Sequence, residues 1–456
     1  MQNLRPSLAF FQRSAISLLV GVALSSGVQA QSLVEIYDMA KSYDAAYQSA
    51  KSQYQANLAK ADQGKANLLP TANLSGGATH SQLESTTNPA TTTTNRDYTT
   101  QTAGINLNQP IYRPANLATY RQSQKALEAA QAALTQAEQD LIVRTSQAYF
   151  DVLGAQDSLT FVKAQKTAVA EQLASAKRNF EVGTSTITDT REAQARYDLV
   201  LAQEIAADND LRVKKVALEL LVGKTGVAPF NIQKQSRLPP VPEGTMDTWV
   251  SDSEQLHPGI QQARTNLDVA KLETEKAQAG HKPTLDLTLG YNAQRNLNGT
   301  SISSLPGGLN SNQIVIASAG LSANLPLFAG FATQNRIRET VALEEKARTD
   351  LEGVQRQVAQ ATRTAYLGLQ SGLGQVKALE AAESSSQAAL DANQLGYKVG
   401  VRINIDVLNS QSQLYQTKRD LAKARYDVLV GQLKLRQANG SLKADDLQAI
   451  NALLAK

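Results

Sequence analysis

Cysteine is absent from the 456-residue sequence, and histidine (three), methionine (three) and tryptophan (one) are scarce. Without cysteine there are no disulfides, no thiolate metal sites and no thiol catalysis, and the usual attachment point of a bacterial lipid anchor is missing. His80, His257 and His281 are isolated, and no two of them have metal-ligand spacing. His257-Pro258 reads as a helix start, because proline is favoured at the first helical position. Val222-Gly223-Lys224-Thr225 resembles the end of a phosphate loop, but Leu218 stands where the first glycine is needed. There is no nucleophile elbow and no carboxylate pair in a pocket-like context. These absences predict a non-enzyme with no cofactor and no metal. Lysine and arginine interleave with aspartate and glutamate, so no basic stripe points to nucleic acid.

Long apolar runs are also missing. Residues 1–30 carry Arg5 and Arg13, an apolar stretch from Ala15 to Leu24 and the small-residue site Val28-Gln29-Ala30. That is the pattern of a secretory signal, expected to be cut after Ala30 and excluded from fold reasoning. An N-terminal anchor is the alternative, but its apolar run falls short of the ~20 residues a spanning helix needs. Beyond Ala30 no stretch is long and apolar enough either.

What is present is a duplication. Phe180-Glu181-Val182-Gly183 recurs as Tyr397-Lys398-Val399-Gly400, 217 residues later. The same offset carries Asp189 onto Asp406, Gln194 onto Gln411, Tyr149 onto Tyr366 and Gly223 onto Gly440. Upstream it drifts, with Gln109-Pro110-Ile111-Tyr112 matching Leu325-Pro326-Leu327-Phe328 and Pro70 matching Pro283. The reading is a first repeat over 31–223, an equatorial insert over 224–256, a second repeat over 257–440 and an equatorial tail over 441–456. Each repeat should run helix, strand, loop, strand, very long helix, tight turn, returning helix.

The long helix shows most plainly. Leu127, Ala130, Leu134, Ala137 and Leu141 open a 3,4-spaced apolar series that continues to Phe180; its counterpart runs from Ala347 to Tyr397. Such sustained spacing is a coiled-coil signature, and its many Ala, Ser and Thr suit close side-by-side packing. Helices are expected over 114–182, 188–222, 330–399 and 405–438, passing through Gly154, Gly368, Gly372 and Gly374 at a cost of up to ~1 kcal/mol each. The first would extend about 100 Å, far more than a globular domain needs. A cytosolic coiled-coil scaffold would explain the heptads but neither the signal nor the strands.

Four segments switch to period two: about 71–80, 98–108, 284–295 and 313–325. Leu285, Leu287, Leu289 and Tyr291 fall on one face, Thr284, Asp286, Thr288 and Gly290 on the other. Ile105 and Leu107 are read as outward, Asn106 and Asn108 as inward. A half-buried soluble sheet shows the same alternation. Here, however, the polar face holds Asn, Thr, Asp and Gln rather than Lys and Glu, and the connections read as long loops, 81–98 and 296–313. Both fit a membrane barrel. Four strands cannot close one, and an open edge cannot lie in lipid, so several chains must share the wall.

The sequence resembles the TolC family of outer-membrane efflux proteins along essentially the whole chain after residue 30. The resemblance rests on the duplicated halves, the strand-end motifs at Pro110 and Pro326, the run Gly396-Tyr397-Lys398-Val399-Gly400-Val401-Arg402-Ile403-Asn404-Ile405-Asp406-Val407-Leu408-Asn409, and Leu421-Ala422-Lys423-Ala424-Arg425-Tyr426. It implies a mixed α and β membrane protein: a long coiled-coil helical barrel in the periplasm of a Gram-negative cell, plus a transmembrane β-barrel with four strands per chain, closed by trimerisation. It implies a passive gated duct for efflux, type I secretion or both. The implied partners are two further copies, a periplasmic adaptor, an inner-membrane transporter of RND, ABC or MFS type, and outer-membrane lipid. A self-contained diffusion pore and a poreless periplasmic scaffold are the competing readings.

The resemblance also places a gate at the two turns. It implicates Asp406, Tyr397, Arg402, Asp189 and Thr188, with Asp189–Tyr397 and Thr188–Arg402 as closing contacts. Asn409 stands where the family has a second aspartate, so a less acidic constriction is expected. Plainer readings exist: glycine at 183 and 400 supplies positive φ at a helix end wherever a helix stops. Asp189 and Asp406, in the first turn of a helix, gain ~0.3–1 kcal/mol from its dipole wherever they sit.

Overall fold

The computed structural model describes residues 31–87, 92–232, 238–240, 243–297 and 313–454. The secretory signal read over 1–30 and most of the loop read over 296–313 lie outside these residues.

Helices α1 (Leu33–Tyr43) and α2 (Ala45–Ala66) lead into strands β1 (Thr71–Thr87) and β2 (Thr92–Tyr112). Helix α3 (Pro114–Glu181) then runs unbroken for 68 residues, about 100 Å, and α4 (Ile187–Val222) returns along it. The second half repeats this order with α5 (Met246–Leu256), α6 (Pro258–Gln278), β3 (Thr284–Asn296), β4 (Gln313–Asn324), α7 (Ala332–Lys398) and α8 (Asn404–Asn439), closed by the short α9 (Asp446–Asn451).

Each half is one full-length helix flanked by half-length ones. At the strand end α2 lies on α3, where Ser123 Oγ donates to the Ala61 carbonyl, and α6 bridges α3 to α7 through Gln122–Glu273 and Arg336–Glu273. Toward the far end α4 lies on α3 through Lys166–Glu204 at 2.5 Å. Helix α8 there joins α3 to α7, with Thr362 Oγ1 donating to the Ala438 carbonyl at 2.9 Å. The backbones come close at Gly372, where a Cβ would sit 3.1 Å from Val428.

The main core lies at the waist. Tyr149 and Phe150 of α3 are buried against Leu429 and Leu433 of α8, Leu33 and Ile36 of α1 and Leu447 and Ile450 of α9. Phe150 stacks on Tyr426, whose hydroxyl donates to Asp157 at 2.6 Å. Burial raises the Asp157 carboxyl above the usual carboxylate range, and the Tyr426 hydrogen bond only partly opposes this. The segment after α4 closes over this core by single bridges, Gln31 to Pro229 and Ile232 to Leu454, and the Tyr149 hydroxyl donates to the Phe230 carbonyl.

Two boundaries differ from the sequence reading. Helix α5, placed in the insert over 224–256, has the length of α1 and ends on a residue that caps the next helix, as α1 does: Asp44 in one half, His257 in the other. It belongs to the duplicated unit. Its apolar positions align with those of α1 at the offset of 213 that carries Pro70 onto Pro283: Leu33 with Met246, Ile36 with Trp249 and Tyr37 with Val250. The β1–β2 ladder also continues past residue 80, from Ser81↔Tyr98 out to Thr87↔Thr92. The run of Ser, Thr and Asn there has no apolar face, so alternation could not mark it as strand.

A single substitution tests the waist packing. Tyr426→Phe leaves the half-buried Asp157 carboxyl without its donor, an expected loss of about 1–3 kcal/mol in a chemical-denaturation titration, with the secondary structure retained.

Candidate functional site

The two turns at the end of the helical part are built alike. After α3, Gly183 takes φ 77° and donates to the Phe180 carbonyl at 3.0 Å, while Thr184 N–H reaches Asn179 O at 2.8 Å. After α7, Gly400 takes φ 81° and donates to Tyr397 O at 3.2 Å, while Val401 N–H reaches Gly396 O at 2.9 Å. A side chain at either glycine would meet open space, so glycine is needed for its left-handed backbone and not for room.

Beyond the glycines the turns diverge. Thr186 caps α4, its Oγ1 accepting from Asp189 N–H at 3.2 Å, and the Asp189 carboxylate accepts in return from Thr186 N–H at 3.0 Å. Ser185 Oγ donates to the same carboxylate at 2.6 Å. This is a complete capping box. The Ser185 hydroxyl, joined by the bonds from Thr186, holds the Asp189 carboxyl below the usual carboxylate range against a smaller opposing effect of burial. In the second turn the cap position is Ile403, which has no side-chain acceptor, and Asp406 instead faces Arg402 at 3.6 Å.

Within one chain, Asp189–Tyr397 and Thr188–Arg402, the closing contacts expected from the resemblance, are not formed. Tyr397 Oη accepts from Asn179 Nδ2 at 3.2 Å and does not meet Asp189, whose carboxylate is taken up by its own cap. Thr188 is exposed on the first turn of α4, and Arg402 pairs with Asp406 on its own side. Asn409 accepts from Arg196 Nη2 at 2.8 Å, which ties α8 to α4. A second link between the two turns comes from a residue that sequence reading did not single out. Asn404, 1% exposed, donates to the Asp189 carbonyl at 3.3 Å and accepts from Gln172. Its only signal in the sequence was a polar residue beside the apolar positions that open α8.

At the opposite end the strands form one antiparallel sheet, β1-β2-β3-β4, with β1 and β4 as its two edges. Registers align Leu74, Ile105, Tyr291 and Ala317 as one rung and Ala72, Leu107, Leu289 and Ala319 as the next on that face. The alternate rungs hold Asn73, Asn106, Gly290 and Ser318, then Thr71, Asn108, Thr288 and Gly320. Asn106 and Asn292 exchange amide bonds at 3.2 and 3.4 Å on this polar face. Where strands meet helices, Arg113 grips Asp286 with two bonds of 2.7 and 2.6 Å, and Tyr112, Leu327, Phe328 and Phe331 are exposed. Such an apolar and aromatic border suits the interface of a bilayer.

The capping box has a pH signature. A lowered carboxylate pKa stabilises the fold above the unfolded value of ~3.9, and that contribution is lost as pH falls through the lower folded value. Asp189→Asn is therefore expected to cost about 1 kcal/mol at pH 7, with the gap to the parent closing below pH ~4 in thermal melts.

Comparison with known proteins meets this geometry at every level. The family described as "Outer membrane efflux protein" matches residues 36–224 and 249–441, one stretch for each repeat. Outer membrane protein TolC of Vibrio cholerae is 32% identical over 447 residues, covering 96% of this chain and 98% of that protein. The proteases secretion protein PrtF of Dickeya chrysanthemi is 29% identical, covering 97% and 95%. Among solved structures, the outer membrane protein VceC of Vibrio cholerae superimposes with a TM-score of 0.76 at 20% identity, over 90% of this chain and 96% of that one. CusC does so with the same score at 17% identity, over 95% and 99%. The chain belongs to the outer membrane efflux protein family.

Proposed function

We propose that three copies of this chain form one continuous export duct, a β-barrel in the outer membrane joined to a helical tunnel in the periplasm. The observation that carries this is a four-stranded sheet with one apolar face, one polar face and two open edges. In hydrocarbon those edges require partners. Two copies would supply eight strands, a barrel whose interior side chains fill; three supply twelve and leave a lumen. The surface area points the same way. The chain exposes 28769 Å², whereas a compact protein of 49.0 kDa exposes about 17,000 Å². Val213, Val216 and Leu220 of α4 and Leu367 of α7 are exposed, on the two helices that the duplication would bring together between copies, as it brings α8 against α3 within one.

Asp406, Arg402 and Tyr397 line the gate at the two turns in this reading, with Asn404 holding the turns together. Asp189 acts through its cap and Asn409 through Arg196. Among the described residues no helix is long and apolar enough to cross a membrane, and the duct has no energy source in this account. A periplasmic adaptor and an inner-membrane transporter of RND, ABC or MFS type are thus the expected partners. Relatives named for protease secretion as well as TolC make efflux of small molecules and type I secretion of proteins both compatible with a passive duct.

Planar-bilayer recording tests the pore. The purified protein is expected to conduct, and absence of conductance at every voltage would refute the duct. Leu289→Arg, on the lipid face, should cost about 2–4 kcal/mol if mid-membrane and impair assembly, while Asn106→Arg, on the lumen face, should assemble and conduct less. Tyr397→Phe combined with Arg402→Ser should raise conductance; no change would remove those residues from the gate.

A further inference from the structure

The duplication places three residues of one turn in register with three of the other. At the offset of 217, Ser185, Thr186 and Asp189 become Arg402, Ile403 and Asp406. In the first turn the two hydroxyl residues both donate to the aspartate, at 2.6 and 2.9 Å, and the helix N-terminus is capped. In the second turn the hydroxyl donors are replaced by a guanidinium and an alkyl chain. The helix has no side-chain cap, and the aspartate is left with an ion pair at 3.6 Å in which the arginine side chain is 58% exposed.

We infer that Ile403 is a specificity-determining position of the gate: by withholding a cap hydroxyl it keeps the Asp406 carboxylate out of the helix end and available to the duct. A β-branched residue without a hydroxyl is among the poorest at this position, whereas threonine is among the preferred ones. The second turn forgoes the stabilisation of a cap. With Thr186 the first repeat has made its aspartate structural; with Ile403 the second has kept its aspartate as a mobile charge, balanced by Arg402. Each copy then contributes one freed carboxylate to the constriction. Ile403 is 61% exposed, so its own contribution to packing is small and replacing it should not disturb the fold.

The inference rests on the gate reading above, and the test separates the two. The full-length protein is reconstituted in planar bilayers, and the ratio of K⁺ to Cl⁻ permeability is taken from the reversal potential in a KCl gradient. Asp406→Asn is expected to lower the ratio; if it does not, Asp406 does not face the conducting path and the inference falls with the gate reading. Ile403→Thr, which rebuilds the first turn's cap, is expected to lower the ratio toward that of Asp406→Asn and to raise the thermal unfolding midpoint. Ile403→Val, the same shape without the hydroxyl, is expected to keep the parent ratio. If Asp406→Asn changes selectivity but Ile403→Thr and Ile403→Val behave alike, the cap hydroxyl does not control the carboxylate and the inference is overturned while the gate stands.

Discussion

The unpaired backbone at the edges of the β-sheet is the constraint on which the rest depends. A strand edge in hydrocarbon leaves N–H and C=O groups with no partner, at several kcal/mol each. One chain ends its sheet at β1 and β4, so it cannot be a finished membrane object. Copies must close the wall, and the helices that continue each strand pair must then close a second wall below it. The Arg113–Asp286 clamp stands at that junction and ties the start of α3 to β3.

Duplication makes the shared wall economical. Because the halves repeat at an offset that drifts by only a few residues, each contact made between halves within a chain would have a counterpart between copies in the proposed assembly. The pairing of β2 with β3, Asn108 opposite Thr288, translates to β4 against a neighbour's β1, Asn324 opposite Ser75. The packing of α8 on α3 translates to α4 on a neighbour's α7. Where the halves differ, the difference is informative. The positions of the Phe150–Tyr426 stack are Leu367 and Asn209 in the other halves, and that of the Thr186 cap is Ile403.

How far the sequence could be read follows from how local each signal is. The 3,4 spacing located α3 within a residue at each end, since Pro114 and Gly183 punctuate it. The membrane strands were visible where apolar and polar residues alternate and invisible from Ser81 to Thr87, where both faces are polar. Helix α5 matches α1 at an offset of 213, Ile36 with Trp249 and Tyr37 with Val250, so the offset of 217 read from the turns does not display it. The two turns that carry the proposed gate are marked in the sequence by Gly183 and Gly400, whereas the bonds at them are not legible there. Asp189 could have reached across to Tyr397 or back to its own cap, and a carboxylate at the third helical position beside a threonine cap is captured locally. Asn404 joins the turns by hydrogen bonds made from a buried position, and a single sequence does not display burial.

The shared wall is open to one direct measurement, helped by a chain with no cysteine of its own. Cysteines placed at Ser75 and Asn324 should lie directly opposite each other across the boundary between copies, at a separation a disulfide can span. On oxidation in detergent, the account predicts a covalently closed species of three chains that survives denaturing electrophoresis and returns to single chains on reduction. Single chains after oxidation, or an open series of larger polymers, would contradict it.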